Sequence, residues 1–255
     1  MSAVWKRIMI LSNALTIAAR VVRQIVRDRR TIVIILVVPL VIMTIIRYSF
    51  PDELRVMLDN AYPPLLATMG LLFSFLLTGI SFLRERSQGT MERMMASPVS
   101  RLDMVVGYLL GFFVLALIQI LVVVLFTIYG LDANYAHGSL WRICIFQMVV
   151  VTVGVNLGIF ISAFARNEFQ MVQFIPLIIF PQILLCGIIW PIDQMDEILQ
   201  WIAKFLPLKY AVNGMTDIMH VGQSLLDVGY EIGILAAFAV VISFLAAMTL
   251  RRGAA

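Results

Sequence analysis

Six apolar stretches, each at or near the roughly 20 residues a helix needs to cross a bilayer, constrain this chain more than any other feature. They run over residues 31–48, 65–82, 102–129, 141–164, 169–190 and 232–250. A backbone at that depth must satisfy its own hydrogen bonds, so the expected fold is an all-α integral membrane protein with six transmembrane helices. The first two stretches are short and need their flanks; the third exceeds the core thickness and should tilt or project. Pro176, Pro181 and Gly187 predict an irregular fifth span. Composition agrees: 62% of residues are hydrophobic and 13% charged, against about 25% charged in a soluble domain.

The charges set an orientation. Residues 1–30 carry seven basic side chains against one acidic one, Asp28, and residues 83–103 carry four more. With the N-terminus inside, only Arg47, Arg55, Arg142, Lys204 and Lys209 of the 19 Lys and Arg lie outside, as positive charge at the cytoplasmic ends requires. Both termini are then cytoplasmic, and the expected location is the plasma membrane, in a bacterium the inner one. Basic residues that flank spans read as topology signals, so nucleic acid is not an expected partner. Residues 1–30 read as a retained interfacial helix resting on membrane lipid. Ile17, Val21, Val22, Ile25 and Val26 take one side, Arg20, Arg23, Arg27 and Arg30 another. A signal peptide is the alternative, but the long apolar run starts only at Thr31 and no small-residue cleavage site follows it.

Between the fourth and fifth spans only Ala165 to Glu168 remain, which predicts a tight hairpin. Residues 191–231 are longer. Ile192, Met195, Ile198, Leu199, Ile202 and Phe205 fall near helical spacing within 191–206, so a re-entrant extracellular segment is expected, with a plain surface loop as the alternative. The chain otherwise reads as one transmembrane domain over residues 1–255.

Known chemistries leave little trace. There is no GxxxxGK[ST] phosphate loop, no HExxH and no GxSxG; Cys144 and Cys186 lie in apolar runs, and His137 and His220 near span ends. No catalytic residue, metal site or cofactor is expected on this chain. No Asp, Glu, Lys or Arg sits at mid-span, where an ion-coupled carrier holds its coupling charge. Thr78, Gln119, Asn156 and Gln173 are candidates for a weakly polar substrate path, interhelical hydrogen bonding being the other reading. Gly107 with Gly111 and Gly154 with Gly158 permit close helix contact.

Residues 84–101, Arg-Glu-Arg-Ser-Gln-Gly-Thr-Met-Glu-Arg-Met-Met-Ala-Ser-Pro-Val-Ser-Arg, form a charged island between two spans. Gly89 ends the preceding span, Thr90 can cap a short helix, Pro98 limits it, and Ser100 with Asp103 offers a capping box for the next. This run, continuing into Val106-Gly107-Tyr108-Leu109-Leu110-Gly111, resembles the signature of type-2 ABC exporter permeases, the membrane subunits of multidrug- and lipid-type transporters. The resemblance extends to the basic N-terminal helix, the six spans and the Leu206-Pro207 to Tyr210 run. It departs at Tyr108, where many members carry Lys. It implies a permease paired with a second copy or a close relative and bound to two ATPase subunits, which hold the ATP and Mg. Residues 84–100 would be the cytoplasmic coupling helix, with Glu85, Arg86, Gly89, Thr90, Glu92, Arg93, Met94, Met95 and Pro98 at the ATPase. An ion-coupled secondary transporter is the alternative.

Overall fold

The computed structural model describes residues 3–89, 101–133 and 139–252. Six of its helices are long and apolar enough to span a membrane. In chain order the helices are α1 (Ala3–Arg27), α2 (Arg29–Ser49), α3 (Arg55–Ser87), α4 (Arg101–Leu125), α5 (Leu140–Ser162), α6 (Glu168–Phe174), α7 (Phe180–Leu185), α8 (Glu197–Lys204), α9 (Pro207–Thr216) and α10 (Gly229–Arg252). The spans are α2, α3, α4, α5, the broken α6–α7 unit and α10.

α3 is the axis of the bundle, with 78% of its most apolar window buried against 17% for α2, α6–α7 and α10. It lies in contact with α5 through small residues. A Cβ on Gly154 would sit 2.1 Å from Ser74 Oγ and 2.6 Å from the Leu71 carbonyl oxygen; one on Gly158 would sit 2.6 Å from the Phe75 carbonyl oxygen. The obstacle at Gly158 is backbone, which cannot rotate away. Gly158→Ala is therefore expected to pry α3 from α5 and destabilise by about 1–3 kcal/mol, read as a lowered thermal midpoint in detergent. An unchanged midpoint would contradict the packing.

The second glycine pair serves α1. A Cβ on Gly107 would lie 2.7 Å from Ile17 Cβ, and one on Gly111 3.0 Å from Val21 Cβ. α1 thus lays Ala14, Ile17, Ala18, Val21 and Ile25, all buried, along α4. Two side chains differ from the two-sided pattern expected of α1. Val26 is 51% exposed, while Arg20 turns into the bundle.

α3 begins ten residues before the apolar run that marks it in sequence and passes through Pro63 and Pro64. A proline in a helix leaves the carbonyl four residues earlier without its donor. Here the Asp59 carbonyl, which Pro63 cannot reach, lies 3.2 Å from the His220 ring Nε2. The fifth span is broken as expected: a π-helical turn over Ile175–Ile179 separates α6 from α7 and contains Pro176. The hairpin before it is closed by Asn167, whose Oδ1 accepts from the Gln170 N–H at 2.8 Å, while Gln170 Oε1 accepts from the Arg166 N–H at 2.8 Å. Gln170 is thereby used as a cap, not as a polar group inside the span.

Residues 191–228 form a helical pair at the far end of the bundle. Asp196 caps α8, accepting from the Ile198 N–H at 2.9 Å. α8 turns Ile198 and Trp201 outward, and Phe205 follows at its C-cap, each more than 60% exposed. α9, with Pro207 at its first position, is held against α5, where a Cβ on Gly214 would meet the Phe146 ring at 2.3 Å. Arg142 Nη1 then donates to the carbonyls of Gly222 and Gln223 at 2.6 and 2.8 Å. Cys144 and Cys186 are both free and buried.

Candidate functional site

The last turn of α3 carries Arg84, Glu85 and Arg86 in succession. Consecutive helical residues point about 100° apart, so three charged side chains leave one turn in three directions.

Arg84 reaches two neighbours at once. Its Nη1 donates to Asp28 Oδ2 at 2.6 Å and to Thr31 Oγ1 at 3.3 Å; its Nε and Nη2 donate to Glu168 Oε1 and Oε2 at 2.5 and 3.0 Å. The second pair is bidentate, the geometry a guanidinium fork suits best. Asp28 is also the N-cap of α2, accepting from the Thr31 N–H at 3.3 Å and its hydroxyl at 2.6 Å. Arg84 therefore clasps the α1–α2 joint to the first turn of α6.

Glu85 is 3% exposed, and a buried carboxylate needs partners. Its Oε2 accepts from Arg20 Nη2 at 3.0 Å and from the Tyr108 hydroxyl at 2.9 Å, while Arg20 Nη2 also donates to the Tyr108 oxygen at 2.9 Å. Tyr108 is fixed in turn by Phe82 edge-on at 5.2 Å and Phe112 stacked at 6.1 Å. Arg86 caps α5, its Nη1 donating to the Ser162 and Ala163 carbonyls at 3.4 and 3.0 Å. These belong to the last four carbonyls, which lack partners within a helix. A further tie runs from Asn13 Nδ2 to Asp103 Oδ2 at 3.2 Å, joining α1 to α4.

One turn of α3 thus holds α1, α2, α4, α5 and α6. Gly89 follows at φ +66°, a left-handed conformation that favours glycine, and carries the chain out of the hub. Thr90, Glu92, Arg93, Met94, Met95, Pro98 and Ser100 lie outside the described residues, as does His137. Of the coupling residues expected from sequence, Glu85 and Arg86 are engaged within the chain. Sequence reasoning missed Arg20, Asp28, Tyr108 and Glu168 as their partners. The one available signal was the Arg-Glu-Arg triplet itself, which demands counter-charges.

The Thr31 hydroxyl and amide, with Arg84, hold the Asp28 carboxyl below the usual carboxylate range. A depressed folded-state value stabilises above the unfolded value of about 3.9 and is lost as pH falls through the folded one. The α1–α2 joint is therefore expected to be indifferent to pH around neutrality and to loosen in acid. Asp28→Asn should reduce that acid sensitivity, measured by thermal unfolding against pH, leaving the part due to Glu168, which Arg84 also holds below the usual carboxylate range.

The four path candidates occupy different contacts. Thr78 is fully buried, and its Oγ1 has no hydrogen-bond partner among the described residues. Asn156 Nδ2 donates to the Thr152 carbonyl at 2.8 Å and its Oδ1 accepts from the Ser243 hydroxyl, tying α5 to α10. Gln119 is 1% exposed beside a small void between α3, α4 and α5. Gln173 stands on the exposed side of α6. At the far end, an open cavity of about 780 Å³ lies among α3, α9 and the end of the fifth span, lined by the polar Asn60, Lys209, Asp217 and Glu231 and by the apolar Pro64 and Val212. Among the described residues no His, Cys, Asp and Glu cluster could hold a metal.

Residues 13–220 match the family model of the ABC-2 type transporter. The chain belongs to that family. ABC transporter G family member 20 of Dictyostelium discoideum is 30% identical over 188 residues, covering 74% of this chain and 25% of that protein. Linearmycin resistance permease protein LnrN of Bacillus subtilis is 32% identical over 161 residues, 63% of this chain and 41% of its own. The probable multidrug ABC transporter permease YbhS of Escherichia coli K12 is 25% identical over 149 residues, 58% and 39% respectively. The chain thus spans well under half the length of each of these three relatives. Its six long apolar helices fit a multi-pass membrane protein of that family. The matched region takes in the hub from Asn13 and Arg20 to Glu168.

Proposed function

We propose that this permease moves an amphipathic substrate, a drug, a lipid or a peptide-like molecule, out of the cell using ATP hydrolysed by separate ATPase subunits. Two permease chains, identical or related, would bind two ATPases, with ATP and Mg on the ATPases. The hub end faces the cytoplasm, so both termini do too, and the membrane is the bacterial inner membrane. α1 lies at the lipid interface, and α8, with its outward apolar face, re-enters the outer leaflet.

One observation carries the reading: a single turn of α3 grips five helices immediately before the chain leaves at Gly89. Force applied to the following residues would reach the bundle at that turn and shift its helices as rigid bodies. Glu92, Arg93, Met94 and Met95 make the ATPase contact, and the methionines supply adaptable apolar surface. Residues 84–100 then act as the coupling segment, and the open far-end cavity, with polar and apolar residues in its lining, suits the release of an amphipathic molecule.

Reversing one charge in the coupling segment tests this. In reconstituted vesicles, Glu92→Arg is expected to uncouple ATP hydrolysis from export while the thermal midpoint stays put. Unchanged substrate-stimulated hydrolysis and unchanged export would refute the assignment.

A further inference from the structure

Two glutamines inside the membrane-spanning bundle line one small space, each with a buried carbonyl oxygen that has no partner among the described residues. Gln119 of α4 is 1% exposed and Gln147 of α5 is 2% exposed. The Oε1 of each is buried without a hydrogen-bond partner among the described residues. Both side chains line the same void of about 10 Å³, whose remaining wall is Leu66 and Gly70 of α3 and Ile120, Val123 and Val124 of α4. An unpaired amide in such surroundings costs roughly 1–3 kcal/mol on mutational scales, and two in one place call for a common partner.

The site is built. Gln147 Nε2 donates to the Leu66 carbonyl at 2.8 Å, which fixes the amide beside the void that Gln147 lines. Gly70 makes that reach possible, because a Cβ there would lie 1.8 Å from Gln147 Nε2. The volume is about one probe sphere, the space a single water needs, and a water needs two to four polar partners. The two buried acceptors match a ligand that donates twice. Two oxygens are too few for a bare cation such as Ca²⁺, which takes six to eight.

We propose that Gln119 and Gln147 hold one internal water, which donates a hydrogen bond to each Oε1. The contacts described between α4 and the α3–α5 pair at this depth are otherwise apolar, so this water is the polar joint that fixes the rotation of α4 about its axis. It also accounts for glutamine at 119 and 147 without assigning either to a substrate path, and it stands whether or not the proposed export function does.

The test uses the intact chain in lipid nanodiscs equilibrated with D₂O. Infrared spectra in D₂¹⁶O and D₂¹⁸O isolate stretching bands of trapped water from those of protein. One isotope-sensitive band is expected in the wild type and is lost in both Gln119→Leu and Gln147→Leu. Persistence of every such band in either variant overturns the proposal. Should a leucine variant fail to fold, Gln119→Met and Gln147→Met, closer in shape, replace it. A wild-type density map at water-resolving resolution gives an independent reading. A peak within hydrogen-bond distance of both oxygens supports the bridge; an empty void, or a direct amide-to-amide bond between the glutamines, contradicts it.

Discussion

Glu85→Ala is expected to lower the stability of the folded chain by about 3 kcal/mol and to abolish export. Removing one member of a buried ion pair strands the other, typically at 3–5 kcal/mol. The low end applies because Arg20 retains 37% side-chain exposure against 3% for Glu85, so the stranded guanidinium can still find water. The Tyr108 hydroxyl loses its acceptor in the same step. A double variant distinguishes this from simple cavity formation. With Arg20→Met added, the stranded charge is gone, so the two changes together should cost clearly less than their sum. Strict additivity, measured by chemical or thermal unfolding in a fixed detergent, would mean that Arg20 and Glu85 are not coupled.

Arg84→Ala should behave in the opposite way. Its partners are far more open, with side-chain exposures of 34% for Asp28 and 50% for Glu168, and ion pairs of that exposure contribute roughly 0–1 kcal/mol. The thermal midpoint is therefore expected to move little. What is lost is the clasp between the α1–α2 joint and the start of α6, so movement at the end of α3 no longer carries the fifth span with it. Export per ATP hydrolysed is expected to fall about tenfold, a coupling free energy of about 1.4 kcal/mol within the usual 1–3 range. Lys at this position should not restore it, since an ammonium cannot bond both Glu168 oxygens and Asp28 in the fork geometry seen here. Equal export per ATP in the wild type and Arg84→Ala would remove Arg84 from transmission.

The two substitutions together separate what holds the hub from what moves through it. Glu85 is structural first, because its carboxylate is dry. Arg84 is expected to be mechanical first, because its bonds join the α1–α2 joint to α6 in partial contact with water.

Much of the architecture was written in the apolar runs. Each span appears where a stretch near 20 residues long predicts one, since a bilayer leaves no other way to satisfy the backbone, and the fifth is interrupted around Pro176 as the prolines imply. The extension of α3 back to Arg55 was not legible. Pro63 and Pro64 lie between Arg55 and the apolar run, and the His220 ring nitrogen that approaches the Asp59 carbonyl comes from 161 residues away. The hub escaped for the same reason. Arg84, Glu85 and Arg86 announce a charged turn, but their partners lie 23 to 84 residues off in sequence, and only the packing of α1 into the Gly107 and Gly111 groove brings Arg20 within reach. Tyr108, a departure from the Lys common in the resembling family, acquires a reason. With Arg20 supplying the positive charge, position 108 needs only a hydroxyl that donates to Glu85 and accepts from Arg20.

The most direct test of the central claim, that energy enters this permease through the chain following Gly89, is purification of the tagged chain from its native membranes in three forms. The account predicts that an ATP-hydrolysing subunit comes with the wild type in equal amount, is lost from Glu92→Arg with Arg93→Glu, and is retained by Arg84→Ala, which transmits poorly but still binds. A chain recovered without any such subunit, and able to move substrate in vesicles on an ion gradient alone, would contradict it.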